Sequence, residues 1–313
     1  MNLSKLGALI VAVIFVPVAC FGQSKEPCFG FLLKGDVISV CEGKTSQITH
    51  RGDIENFAVS DELSSLAYTT SRTTKRDATS SFVATTVTVA NLKTGTSKQF
   101  QGLRTRGVVS SCGRILEIEV GSGGPTSTDV VTGEILSSAP YVFFRCSADR
   151  RFVAGVLPDP ANSNKHGDLY FGVHPTTKIA AAEDVYPHFF NISPDGTKIA
   201  WFNDVRPLCI VSLPGQAQCV DHSTMSDPVS VNNSGEVLVA TGTGQGCVYK
   251  TSSDFSPASN GGFGDDECLG IGYWKAGIKS IVIIKSIGGN PQWLSSATAG
   301  LLNKWSAQQP RSR

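Results

Sequence analysis

The sequence predicts an all-β fold, a six-bladed β-propeller built of four-stranded antiparallel blades. Three observations predict it. A hairpin motif recurs at an interval that suits one blade, no helical periodicity separates the strand-like segments, and the two ends of the chain carry incomplete units that would complete each other.

The clearest hairpin runs from Phe189 to Trp201, where Phe189-Phe190-Asn191-Ile192 and Lys198-Ile199-Ala200-Trp201 flank the turn Ser193-Pro194-Asp195-Gly196-Thr197. Glycine supplies a positive φ, and the serine and aspartate side chains can bond the turn's own backbone. Degenerate copies lie at Phe57–Tyr68, Val108–Leu116, Phe143–Ala154 and Val229–Val239, with a worn copy at Ile271–Ile284. Their turn positions, 60, 110, 147, 193, 232 and 274, are spaced by about 43 residues on average, the length of a four-stranded blade.

Each unit has a second half. Val87–Phe100, Asp129–Leu136, Leu169–Ala180 and Cys209–Val220 each read as a strand, a polar turn with Gly or Pro, and a shorter strand. The segment Asp36–Thr49 matches this second half alone. An N-terminal half-blade and a C-terminal half-blade around Trp274–Trp293 would therefore close the ring and cover its open edges. A seventh, incomplete blade stays open as an alternative.

Ser193-Pro194-Asp195-Gly196-Thr197-Lys198-Ile199-Ala200 resembles the repeat of TolB-like propellers, which are related in architecture to WD-repeat proteins. The resemblance extends in weaker form over residues 28–300. It implies a ring of sheets and no particular activity.

Before the first repeat, Lys5 precedes an apolar run from Leu6 to Ala19 and then Cys20-Phe21-Gly22. A single cation, a short apolar core and small residues at its exit have the form of a secretory signal peptide. The run falls short of the roughly 20 residues that cross a bilayer, so no transmembrane segment is expected. Cleavage after Gly22 is preferred. Cleavage after Ala19, with a lipid anchor on Cys20, is the second route, although Pro17 stands where lipoprotein sites carry a branched aliphatic residue. The expected organisation is a signal peptide over 1–22, a propeller over 23–300 and a short polar, solvated tail over 301–313.

Nine cysteines, eight without Cys20, are an even set for an oxidising compartment, and no C-x-x-C pair suggests a metal. Blade layout then pairs them. Cys209 and Cys219 face each other across a hairpin at Pro214, and Cys28 and Cys41 bracket another at Lys34-Gly35. Cys247 and Cys268 flank a Ser-, Gly- and Asp-rich loop over 251–267. Cys112 and Cys146 pair by elimination.

Charge and motifs narrow function only by exclusion. With 27 Lys and Arg against 26 Asp and Glu, no basic stripe marks nucleic-acid binding. Gly242–Gly246 looks like a phosphate loop, but a strand follows it where a dinucleotide site needs a helix, so no cofactor is expected. Asp265-Asp266-Glu267 lacks calcium-loop spacing, and His50, His166, His174, His188 and His222 form no ligand pattern. No metal is expected. A G-x-S-x-G elbow is absent, and Asp184 with His188 lacks a third catalytic partner. The aromatic residues Tyr141, Phe143, Phe144, Phe189, Phe190 and Trp201 are read as packing between blades. The reading this leaves is an exported, non-catalytic binding or scaffold propeller that recognises a protein or glycan partner, in the periplasm or outside the cell. A lyase or hydrolase acting on a polysaccharide or peptide at the central channel is the alternative.

Overall fold

A computed structural model describes residues 28–309 apart from 76–80, 104–107, 113, 122–123, 138–142, 159–166, 174–176, 180–181, 183–184, 204–206, 222–225, 242–246, 252–253, 258–269, 278, 280–281 and 286–288. The signal segment expected over 1–22, Cys20 included, lies outside the described residues.

The chain begins with β1 (Cys28–Leu33), β2 (Asp36–Cys41) and β3 (Lys44–Gln47), and the second sheet follows as β4 (Ile54–Ser60), β5 (Ser65–Lys75), β6 (Ser81–Asn91) and β7 (Ser97–Leu103). The third contains β8 (Val108–Ser111), β9 (Arg114–Gly121), β10 (Gly124–Asp129) and β11 (Ile135–Ser137). The fourth is wide. It holds β12 (Phe143–Cys146), β13 (Val153–Pro158), β14 (Gly167–Gly172) and β15 (Thr177–Lys178), then β16 (Val185–Ile192), β17 (Lys198–Asn203), β18 (Pro207–Ser212) and β19 (Ala217–Asp221). The fifth comprises β20 (Ser226–Val231), β21 (Glu236–Thr241), β24 (Gly270–Lys275) and β25 (Val282–Lys285), with the hairpin β22 (Cys247–Thr251) and β23 (Asp254–Pro257) inserted between its middle strands. The chain ends with β26 (Gly289–Leu294) and helix α1 (Ser296–Gln308).

These strands form a propeller of antiparallel blades, but with five blades and not the six or seven expected. Four blades have four strands and one has eight. Two features account for the difference. The units over 143–178 and 185–221 share one sheet, because β14 and β16 pair at Gly167 and Val185. The worn copy at 271–284 is no blade of its own. Its first strand, β24, lies beside β21 from Glu236↔Lys275 to Thr241↔Gly270 and completes the sheet that β20 begins. Apolar alternation alone does not distinguish an inner strand from a third one.

Closure uses unequal shares of the two ends. One C-terminal strand, β26, pairs with β1 in the order β26-β1-β2-β3, so three N-terminal strands meet one C-terminal strand. Side chains fasten the same strand to both neighbouring blades. The Gln292 amide donates to the Val59 carbonyl at 2.6 Å and accepts from the Val59 N–H at 2.8 Å, as a strand partner would. On the other side, the Trp293 N–H donates to Ser230 Oγ and its indole N–H donates to the Glu236 carbonyl.

The chain beyond Leu294 departs from the polar tail expected over 301–313. Ser295 caps α1 by accepting from the Thr298 N–H at 3.1 Å. Thr298, Ala299, Leu302 and Trp305 then lie on its buried face. Ala299, Leu302 and Trp305 join Val37, Ile48, Leu66 and Leu92 in the cluster between the first and second sheets, so burial of Leu302 and Trp305 explains why this end is ordered. Elsewhere Trp274 is almost wholly buried between the fourth and fifth blades, and Trp201 and Phe190 are almost wholly buried between the two units of the fourth. Emptying such a site costs about 3–5 kcal/mol.

Three disulfides staple this frame. Cys209–Cys219 crosses the directly paired strands β18 and β19, and Cys28–Cys41 ties β1 to β2. Cys112–Cys146 joins the third sheet to the fourth across 34 residues of chain. Bridges of this kind belong to an oxidising, exported location. Cys268 lies outside the described residues, and the pairing expected for it with Cys247 remains a proposal.

Candidate recognition face

Because successive strands run antiparallel, the ring has two ends of different construction. At one end lie the connections from each blade's first strand to its second, and from its third to its fourth. The opposite end carries the second-to-third connections and the passages between blades.

The first end is a ring of self-satisfied turns. Ser193 Oγ donates to Asp195 Oδ1 at 2.6 Å and accepts from the Lys198 N–H, while the Thr197 N–H and hydroxyl also donate to Asp195 Oδ1. Ser147 and Asp149 repeat the arrangement, with the Arg151 N–H donating to Asp149. Asn232 performs it with Oδ1, which accepts from the N–H groups of Ser234 and Glu236. Burial raises the Asp195 pKa, but hydrogen bonds from Ser193 and Thr197 outweigh it and hold this carboxyl below its ordinary value of 3.8. Neighbouring turns are also tied together. The Ala148 N–H donates to the Pro194 carbonyl, the Asp195 N–H to Asn233 Oδ1, and the Ser295 hydroxyl to Asp61. Gly196 holds φ 73°, and a Cβ there would stand 2.5 Å from the ring of Phe152 on the neighbouring unit.

A polar cluster at this end was not legible in the sequence. Glu236 accepts from the Tyr273 hydroxyl at 3.0 Å and from the Asn232 amide at 2.8 Å, with the Lys275 ammonium 3.8 Å away. Burial, followed by the Glu236 carboxylate, pushes the Tyr273 pKa up to about 12. The phenol therefore stays neutral and donates. It anchors the third strand of the fifth blade to the turn.

The other end is built differently. Between β3 and β4 the loop over 48–53 is organised by Asp36. Its carboxylate accepts from the Thr49 hydroxyl and from the N–H groups of Arg51 and Gly52. Gly35, at φ 72°, comes so near this loop that a Cβ would lie 2.3 Å from the carbonyl carbon of Gly52. The loop presents Arg51, which donates to both carboxylate oxygens of Asp53 at 2.9 and 3.1 Å and lies 5.8 Å over the ring of Tyr68. That carboxylate raises the guanidinium pKa above its ordinary value. Next to them Glu55 accepts from Ser71 at 2.6 Å. The passage from β21 to β24, residues 242–269, also leaves from this end.

Of the residues singled out from sequence, Phe190 and Trp201 are buried within the fourth blade, between its two four-stranded units and not between blades as expected, and Phe144 is half-buried. His50 is exposed on the 48–53 loop. Gly242–Gly246, Asp265–Glu267, Tyr141, Asp184, His166, His174 and His222 lie outside the described residues, as do the side chains of Phe143, His188 and Phe189. Among the described residues, no three His, Cys, Asp or Glu side chains gather as metal ligands. No described helix is long and apolar enough to cross a membrane. Arg51, Asp53 and Glu55 escaped notice because a run of charges around Gly52 reads as an ordinary solvated loop.

No protein-family model matches the chain, and no curated protein matches it. Solved structures do. The tricorn protease matches over 83% of this chain and 29% of its own, at 11% identity and a TM-score of 0.41. The Pyrococcus horikoshii acylaminoacyl peptidase matches over 79% and 41%, at 10% identity and a TM-score of 0.48. The Cps50 (Swd1) β-propeller domain of Myceliophteria thermophila matches over 82% of both chains, at 10% identity and a TM-score of 0.41. This chain thus spans less than half the length of the two peptidases, and likeness at this level concerns the fold alone.

Proposed function

We propose that this chain is an exported propeller of the TolB-like kind that binds a protein or glycan partner, as a recognition or scaffold module in the periplasm or outside the cell. The observation that carries the reading is the inequality of the two ends. Three turns at one end, at 147–152, 193–198 and 232–236, repeat one solution and consume their own hydrogen-bonding groups. The other end holds residues that do not repeat, among them Arg51, Asp53 and Glu55. Rigid frames that present variable loops suit recognition, because the loops lose little further order on binding. Three disulfides supply that rigidity.

The test is binding of envelope and secreted proteins, and of a glycan array, to the disulfide-intact chain and to its Arg51→Glu variant. Retention of the fold with at least tenfold weaker binding is expected for Arg51→Glu. Unchanged binding by this variant, with loss in Arg151→Glu on the turn end, would reverse the assignment of faces.

A further inference from the structure

The second blade is not level with the ring. β5 and β6 pair residue for residue from Ser65↔Asn91 to Lys75↔Ser81. Their neighbours stop earlier, since β4 last meets β5 at Ile54↔Thr70 and β7 last meets β6 at Leu103↔Thr85. Residues 71–75 and 81–84 therefore continue past the sheet as a two-stranded ribbon, on the loop end, with no third strand beside them among the described residues. Five residues of strand extend roughly 16 Å.

An antiparallel strand with one partner leaves the N–H and C=O of every second residue facing outward. On β5 this bare edge reads Ser71-Arg72-Thr73-Thr74-Lys75. It holds no proline, so each outward N–H can donate, and two threonines favour extended backbone. Its base is fixed, because the Ser71 hydroxyl donates to Glu55 and lies 3.3 Å from Thr85 Oγ1. Both of its charges are positive, in a protein with 27 cations and 26 anions overall, and Arg72 is exposed. Cations on an edge repel the same edge of another copy and attract a strand of opposite sign.

We propose that the free edge of β5 over residues 71–75 takes up an extended acidic segment of a partner protein as an added strand. Main-chain hydrogen bonds would supply affinity, and the positive charge of the edge would favour an acidic segment over a basic one. The inference rests on the loop end being the recognition face and names one kind of partner for it.

The probe is a labelled eight-residue peptide of alternating Glu and Val, offered to the full chain with its disulfides intact. Anisotropy reports binding, and amide hydrogen exchange reports where it occurs. Saturable binding is expected, with slowed exchange confined to 71–75 on β5, about tenfold weakening in Arg72→Glu/Lys75→Glu and loss in Thr73→Pro. A Lys-Val peptide of equal length should not bind. Should Thr73→Pro lower the melting temperature of the whole domain, the charge-reversed pair decides. Unchanged exchange at 71–75, or equal binding by the charge-reversed protein, overturns the proposal. A glycan or folded protein bound through Arg51 with no change at 71–75 would overturn strand addition alone and leave the recognition face standing.

Discussion

The turn end and the loop end of this ring use the same residue types to opposite purpose. At the turn end, Asp149 and Asp195 each accept a serine hydroxyl two residues before and a backbone N–H two residues after, so the carboxylate closes its own turn. At the loop end, Asp36 reaches across to bond the N–H groups of Arg51 and Gly52, and so organises a loop that offers Arg51 and Asp53 to solvent. The first arrangement is local and can be copied from unit to unit. The second depends on one long-range approach, Gly35 against Gly52, and occurs once among the described residues. Repetition marks what the frame needs, and departure from it marks the residues proposed to meet a partner.

If the turn end is the frame, breaking it should cost stability while the loop end should cost recognition. The largest loss is expected where the third and fourth sheets are stapled. Replacing Cys112 and Cys146 together by serine should destabilise the chain by about 2–4 kcal/mol, read as a lower denaturation midpoint. A shift below about 1 kcal/mol would mean that packing, not the bridge, joins these sheets. Next comes the seam. Gln292→Leu removes both bonds to Val59 and leaves its N–H and C=O unpaired, a loss of about 2 kcal/mol. Hydrogen exchange at Val59 should quicken together with that of β26, and a local change without β26 would show that the amide does not help to close the ring.

A smaller effect is expected in acid. The folded Asp195 pKa lies below the ordinary 3.8, so its contribution is present above that value and fades as pH falls through the folded value. The wild-type melting temperature should therefore fall on acidification below about pH 4 more steeply than that of Asp195→Asn. Parallel curves would mean that the turn carboxylates play no part in holding the frame.

How much of this was legible depends on the range of the interaction. Hairpins declared themselves through local alternation and the Ser-Pro-Asp-Gly turn at 193–196. The pairing of Cys209 with Cys219 followed from the same local register. Blade count did not follow, because β24 and an inner strand share one apolar pattern and because the Gly167–Val185 contact has no sequence signature. Helix α1 carried a readable signal in Ser295 followed by Thr298, Leu302 and Trp305 at helical spacing, but no acidic residue stands in its first turn to strengthen it. Gln292 and Val59 lie 233 residues apart, and Arg51 and Tyr68 meet only when the second sheet has formed. The residues proposed for recognition are hidden for the same reason. They need a finished frame, and nothing in their own neighbourhood repeats.

The most direct measurement of the difference between the two ends is site-specific photocrosslinking in the native envelope or secreted fraction. A photoreactive residue is placed in turn at His50 and Arg72 on the loop end, and at Lys44, Lys93 and Ser234 on the turn end. Partner adducts from His50 and Arg72, with little or none from the other three positions, are the predicted result. Adducts formed mainly from Lys44, Lys93 or Ser234 would contradict the account and make the turn end the recognition face.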